Sequence, residues 1–169
     1  MPGETVLVHG AAGGIGTSTL RMAGPLGAAR TIAVVSTEDK VDIATAAGAD
    51  DVVLADGFKD AVMELTGGRG VDIVLDPVGG DRVTDSLRAL APAGRLLVVG
   101  FTGGDIPTIK TNRLLLNNVD VVGVGWGAWT MKHPGYLAEQ DLRESPGPSH
   151  PIIRKHPETG RSSLYLGRR

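Results

Sequence analysis

The stretch VLVHGAAGGIGTSTLRMA, residues 6–23, joins a short apolar run to a segment of helical period through a turn made almost wholly of glycine and alanine. Gly10, Gly13 and Gly16 recur at every third position where strand hands over to helix. In the dinucleotide-binding rule the first, third and sixth places are glycine; here they are Ala11, Gly13 and Gly16. A phosphate at such a turn needs outward backbone N–H groups, no Cβ in its way and the partial positive charge of a helix N-terminus. Gly13 and Gly14 suit the close approach, and Gly16 suits tight packing of helix on strand. A tight strand-to-helix turn that holds no ligand uses the same residue types, so the spacing alone leaves both readings open.

The next decisive place lies downstream. For NAD the rule expects an acidic residue about 20 residues after the last glycine, at the end of the second strand, to hold the ribose 2′-hydroxyl. The run AVVSTEDK, residues 33–40, puts Ser36 and Thr37 there and Lys40 one helical turn further. Two hydroxyls and an ammonium hold a 2′-phosphate that a carboxylate would repel, which favours NADP(H). The competing reading makes Ser36 a helix cap and Lys40 a solvated lysine, with Glu38 and Asp39 beside them.

Around these two places, apolar runs alternate with helical segments as in a parallel sheet covered on both faces. Strands are predicted at Thr5–His9, Thr31–Val35, Asp51–Leu54, Val71–Asp76, Arg95–Gly100 and Val119–Val124, and helices over Gly14–Gly27, Asp39–Ala47, Phe58–Leu65 and Asp81–Leu90. The expected fold is α/β, a doubly wound parallel sheet of about six strands, with an irregular C-terminal tail. His9 is expected to be a buried structural histidine, and Asp76 a turn-capping carboxylate before Pro77.

Composition narrows the classes. The 169 residues hold 17 Lys and Arg against 19 Asp and Glu, a net charge of -2, so no basic surface is expected to track nucleic acid. No apolar run approaches the roughly 20 residues of a spanning helix, no signal peptide opens the chain, and cysteine is absent; a cytoplasmic protein outside the membrane is expected. The first 130 residues carry 10 basic and 15 acidic side chains, whereas the last 39 carry 7 and 4, with half of the 10 prolines and three of the four histidines. The domains are therefore read as 1–130, a nucleotide-binding domain; 131–143, a residual helix; and 144–169, a flexible tail.

Six stretches resemble the zinc-free quinone oxidoreductase group of the medium-chain dehydrogenase/reductase family: VLVHGAAGGIGT, the helix ending at GPLGA, ATAAGADDVV, TGGRGVDIVLDPVGG, SLRALAPAGRLLVVGF and IPTIKTNRLLLNNVDVVGVGWG. They cover about residues 3–130, in the family's order. The resemblance implies a six-stranded Rossmann domain binding NADP(H), with Ala12, Gly13, Gly14, Ile15 and Gly16 cradling the pyrophosphate. It further implies Ser36 and Lys40 at the 2′-phosphate, Val78 near the adenosine ribose, and Val99, Gly100 and Thr102 on the nicotinamide side. The implied reaction is hydride transfer from NADPH to a small-molecule acceptor, a quinone or an enone. No residue is singled out as catalytic or as a metal ligand. Many relatives carry a tyrosine at the end of strand three where this chain has Ala55.

The family's β-rich catalytic lobe has no counterpart in these residues, so the chain is expected to bind cofactor more readily than it catalyses. The alternatives are a non-catalytic nucleotide-binding module and a truncated or composite gene product. Strand six, Val119–Val124, is expected to be a sticky edge and a route to a homodimer, and Trp126 and Trp129 to be packing anchors left partly exposed. From about Glu144 that resemblance stops, and SHPIIRKHPETGRSSLYLGRR is similar to a segment of the taurine and 2,4-D type 2-oxoglutarate-dependent dioxygenases. His150, His156 and Glu158 imitate an iron triad, but the bland reading of a tail opposed to helix by Pro151 and Pro157 is preferred.

Overall fold

The computed structural model describes residues 3–133, with two further segments, 153–155 and 162–164, described as strands. The chain divides into two units, residues 1–123 and 124–169.

In the first unit the strands are β1 (Thr5–Val8), β2 (Arg30–Val35), β3 (Asp51–Leu54), β4 (Val71–Asp76), β5 (Leu90–Val98) and β6 (Asp120–Gly123). They form one sheet in the order β3-β2-β1-β4-β5-β6, every pairing parallel. Parallel neighbours need crossovers, which helices supply: α1 (Gly14–Ala23), α2 (Val41–Ala46), α3 (Phe58–Leu65), α4 (Val83–Arg88) and α5 (Asn112–Asn117). α1 packs beside α2 and α3 beside α4. The doubly wound six-stranded sheet expected from the sequence is the one observed.

The valine- and isoleucine-rich strands bury because both faces of a parallel sheet are covered. Leu7, Ile32, Val34, Val71, Val74 and Leu96 are almost solvent-free and are joined by Phe58 and Val62 from α3 and Val83 and Leu87 from α4. The order of strands creates a switch point: from β1 the chain moves outward to β2 and β3, then returns to place β4 on β1's other side. Loops leaving β1 and β4 at their carboxyl ends therefore diverge, and a crevice opens between them.

Several expected boundaries are corrected. β1 ends at Val8, although the His9 N–H still donates to the Leu75 carbonyl at 3.0 Å. α1 stops at Ala23 rather than Gly27, because Gly24 and Pro25 follow and the Leu26 N–H folds back onto the Met22 carbonyl at 3.0 Å. The second helix begins as a 3₁₀ turn, Glu38–Lys40, before α2, and the fourth as a 3₁₀ turn, Gly80–Arg82, before α4. Leu90 opens β5 instead of closing a helix: Leu90 pairs with Val71, the register then shifts, and pairing resumes at Ile73 with Arg95. Ala93 takes a left-handed φ of 63° within that irregularity. α5 was not expected, and β6 is an edge strand, as is β3.

The second unit holds α6 (Trp126–Lys132) and an antiparallel pair, β7 (Ile153–Lys155) and β8 (Ser162–Leu164). Of the helix expected over 131–143, residues 131 and 132 fall in α6, and β7 and β8 lie within the stretch expected to be an irregular tail. Trp126 and Trp129 are half-buried, and the Trp129 ring stacks on His133 with centroids 4.1 Å apart. His150, His156 and Glu158 lie outside the described residues, as does the stretch 134–143.

Candidate nucleotide-binding cleft

At the carboxyl edge of the sheet, a cleft of about 630 Å³ opens over the switch point. Its floor is the turn between β1 and α1: Gly10, Ala11, Ala12, Gly13, Gly14 and Ile15. The turn is tight because it is pinned from within. The Ala11 N–H reaches the Val34 carbonyl at 3.1 Å, and Gly13 N–H donates to the Gly10 carbonyl at 2.9 Å. Gly10 has φ +57°, and a Cβ there would meet Val78 Cγ2 at 3.3 Å. At Gly16 a Cβ would stand 2.5 Å from the Ala11 Cα and closer still to the Gly10 carbonyl oxygen, so only glycine lets α1 lie this near the turn. Gly14, by contrast, has nothing within 4 Å of where its Cβ would be. The space before the helix is open.

α1 has ten residues, its N-cap Gly13 offers no side-chain hydrogen bond, and its first turn contains no acidic residue. The first N–H groups of a helix have no partner inside it. Among the described residues no carboxylate or hydroxyl claims them, and the dipole leaves partial positive charge at this end. The Thr17 hydroxyl is occupied, donating to the Gly13 carbonyl at 2.9 Å.

On the β2 side the wall is Val34, Val35, Ser36, Lys40 and Ile43. Lys40 Nζ donates to Ser36 Oγ at 2.7 Å, so the two residues chosen from the sequence stand together on the cleft's rim. On the β4 side it is Pro77, Val78, Arg82 and Thr102. The Thr102 N–H and hydroxyl both donate to the Pro77 carbonyl at 3.0 Å. Val99 and Gly100 do not line the cleft: the Val99 N–H is taken by the Asp76 carbonyl at 2.9 Å, and Gly100 packs against Pro77. Gly16 likewise lies beneath the floor. Of the residues singled out earlier, the cleft thus gathers Ala12, Gly13, Gly14, Ile15, Ser36, Lys40, Val78 and Thr102. Ala55 packs against the core.

Arg82 escaped the sequence reading. It sits in what looks like an ordinary helix start beside Asp81, and only the 3₁₀ turn after β4 brings it to the cleft.

Below the cleft, Asp76 caps the turn that follows it. Its Oδ1 accepts the Val78 N–H at 2.8 Å and the Gly79 N–H at 2.9 Å, the capping part expected of it. His9 is fully buried, with Nε2 at 2.9 Å from Ser86 Oγ and its ring edge-on to Phe58. Burial drives its pKa down to about 4, opposed by the Asp76 charge and assisted by that of Arg82. It stays neutral, and its Nδ1 has no hydrogen-bond partner among the described residues.

Known proteins are similar to this chain in sequence and in fold. The family model described as zinc-binding dehydrogenase matches residues 14–139. The chain belongs to the zinc-binding dehydrogenase family. Quinone oxidoreductase-like protein 2 of Rattus norvegicus is 42% identical over 130 residues, which are 76% of this chain and 37% of that protein. Among solved structures, a mycobacterial protein complexed with NADPH is 34% identical with a TM-score of 0.70, covering 85% of this chain and 47% of its own. The quinone oxidoreductase of Thermus thermophilus, studied also in complex with NADPH, is 32% identical with a TM-score of 0.67, covering 84% and 44%. The chain therefore spans less than half the length of these relatives. The match of this dehydrogenase family ends at residue 139, so the dioxygenase resemblance beyond Glu144 draws no support from it. Among the described residues no group of three or more His, Asp or Glu is placed to hold a metal ion, and the chain has no cysteine. No described helix is long and apolar enough to cross a membrane.

Proposed function

We propose that this chain is the NADP(H)-binding domain of a quinone oxidoreductase-like dehydrogenase. The observation that carries the reading is a single cleft that joins an uncapped helix N-terminus, reached through a glycine turn, to a hydrogen-bonded Ser36–Lys40 pair. The residues fit the group chemically. Backbone N–H groups of Gly14 and Ile15 suit a pyrophosphate, and the Ser36 hydroxyl with the Lys40 ammonium suits a 2′-phosphate. Ile43, 47% exposed on the same wall, offers an apolar surface to a base. Val78 and Thr102 border the other end. Relatives of this fold that are solved with NADPH support the same cofactor here.

Bound there, NADPH would supply the hydride for reduction of an electron-poor acceptor. The acceptor we propose is a quinone or an α,β-unsaturated carbonyl, as in the oxidoreductases this chain resembles. The chain's own residues bind and orient: the turn fixes one phosphate group by backbone geometry, and Ser36 with Lys40 distinguishes the phosphorylated ribose. No side chain around the cleft is assigned as a general acid, because His9 is buried and neutral and Asp76 is spent on two backbone N–H groups. The edge strand β6 offers unpaired backbone groups that suit self-association. The test is a panel of quinones and enones, following NADPH absorbance. Acceptor-dependent NADPH loss supports the reading, and cofactor binding without turnover on any acceptor leaves a binding module instead.

A further inference from the structure

On the β4 side of the cleft one charge has no role in the fold. Arg30 is tied to Asp51, Arg69 to Asp72, Arg88 to Asp85 and Arg95 to Glu4, each at ion-pair distance. Arg82 makes no hydrogen bond and no ion pair among the described residues, is only half-exposed, and faces the cleft with Gly10, Pro77 and Val78. Its planar fork is built for two oxygens of one phosphate.

The position decides which phosphate. β2 and β4 flank β1 on opposite sides, so the Ser36–Lys40 pair and Arg82 rise from strands two spacings apart, about 10 Å, with the glycine turn between them. Arg82 lines the cleft with Gly10, Pro77 and Val78, on the β4 side of the glycine turn and away from β2. The geometry points to Arg82 as a ligand-binding residue of this cleft, contacting the central pyrophosphate of the dinucleotide across from the α1 N-terminus and not the 2′-phosphate. This rests on the dinucleotide reading of the cleft given above. Arg82 then sets affinity for the dinucleotide as such, whereas Ser36 and Lys40 set the preference for its phosphorylated form.

The experiment is a calorimetric titration of the full chain with NADPH and, separately, NADH, for the wild type, Arg82→Gln, Arg82→Lys and Lys40→Gln. Unliganded thermal unfolding is followed alongside. Loss of a charged hydrogen-bonding partner is worth about tenfold in affinity. Arg82→Gln is expected to weaken NADPH and NADH by the same factor, about tenfold, while its unliganded melting temperature stays near that of the wild type. Arg82→Lys, which keeps the charge and loses the fork, is expected to fall between, and it carries the test if the glutamine variant does not fold. Lys40→Gln should weaken NADPH alone. Unchanged affinity in both Arg82 variants, or a loss confined to NADPH, overturns the assignment. A wild-type chain that folds and binds neither cofactor overturns the cleft reading itself, an outcome distinct from the first two.

Discussion

Gly14 and Gly16 stand two residues apart at the start of α1, yet alanine should act on them in opposite ways. A Cβ on Gly16 would lie 2.5 Å from Ala11 Cα and 2.8 Å from the Ala11 carbonyl carbon, both backbone atoms of a turn pinned to Val34. No flexible side chain can give way, so α1 must lift off the turn. Such overpacking costs about 1–3 kcal/mol or more, and the upper end is expected here because the obstacle is backbone on a buried residue. On Gly14 the Cβ meets nothing within 4 Å, and φ is not in the left-handed region. Gly14→Ala should stabilise the unliganded chain by about 0.4–1 kcal/mol by narrowing the unfolded ensemble, while its methyl group intrudes where the phosphate approaches. Urea unfolding followed by circular dichroism gives the stabilities, and NADPH titration the affinities. Gly16→Ala should lose stability, and Gly14→Ala should keep stability and lose affinity. Equal denaturation midpoints for Gly16→Ala and the wild type would refute the packing argument, and undiminished NADPH affinity in Gly14→Ala would refute the cradle.

Other consequences follow from single contacts. His9 titrates near 4 when folded against 6.5 for the free ring, so between those pH values the unfolded chain binds a proton that the folded chain refuses. Stability present above pH 6.5 is therefore lost as pH falls through that window, by about 3 kcal/mol near the lower end; His9→Asn should flatten this part of a urea-midpoint series against pH. Asp76→Ala orphans the Val78 and Gly79 N–H groups beneath the cleft and should cost about 1–3 kcal/mol in the same unfolding assay, with Asp76→Asn milder because it keeps an acceptor. Lys40→Gln should leave thermal stability unchanged, since the Lys40 ammonium bonds only the rim hydroxyl of Ser36 among the described residues, and reduce the preference for NADPH over NADH by up to about tenfold in paired titrations.

The sequence was most legible where one periodicity ruled a whole element. β3, α3 and β4 begin and end where predicted, since each is a single apolar run or one amphipathic stretch bounded by turn residues. β5 misled because Leu90 pairs with Val71 ahead of Pro92 and Gly94, and a strand broken by a register shift reads as a helix end followed by a loop. α5 escaped because the leucines of NRLLLN do not form a buried stripe: Leu115 and Leu116 are 78% and 74% exposed. In the cleft, the glycine turn and the Ser36–Lys40 pair could be read because each lies within one local segment whose spacing carries the geometry. Arg82 could not, since its approach depends on β4 pairing with β1, distant in sequence, and on a 3₁₀ turn no local pattern announces. Val99 and Gly100 came from resemblance alone; of that segment Thr102 lines the cleft, while the Val99 N–H is bonded to the Asp76 carbonyl.

The central claim is that this cleft holds a phosphorylated dinucleotide. Direct calorimetric titration of the purified chain with NADPH and with NADH tests it most simply. The account predicts saturable one-to-one binding of NADPH, with NADH markedly weaker. A well-folded chain that binds neither would contradict it, and one that binds NADH as tightly as NADPH would contradict the part given to Ser36 and Lys40.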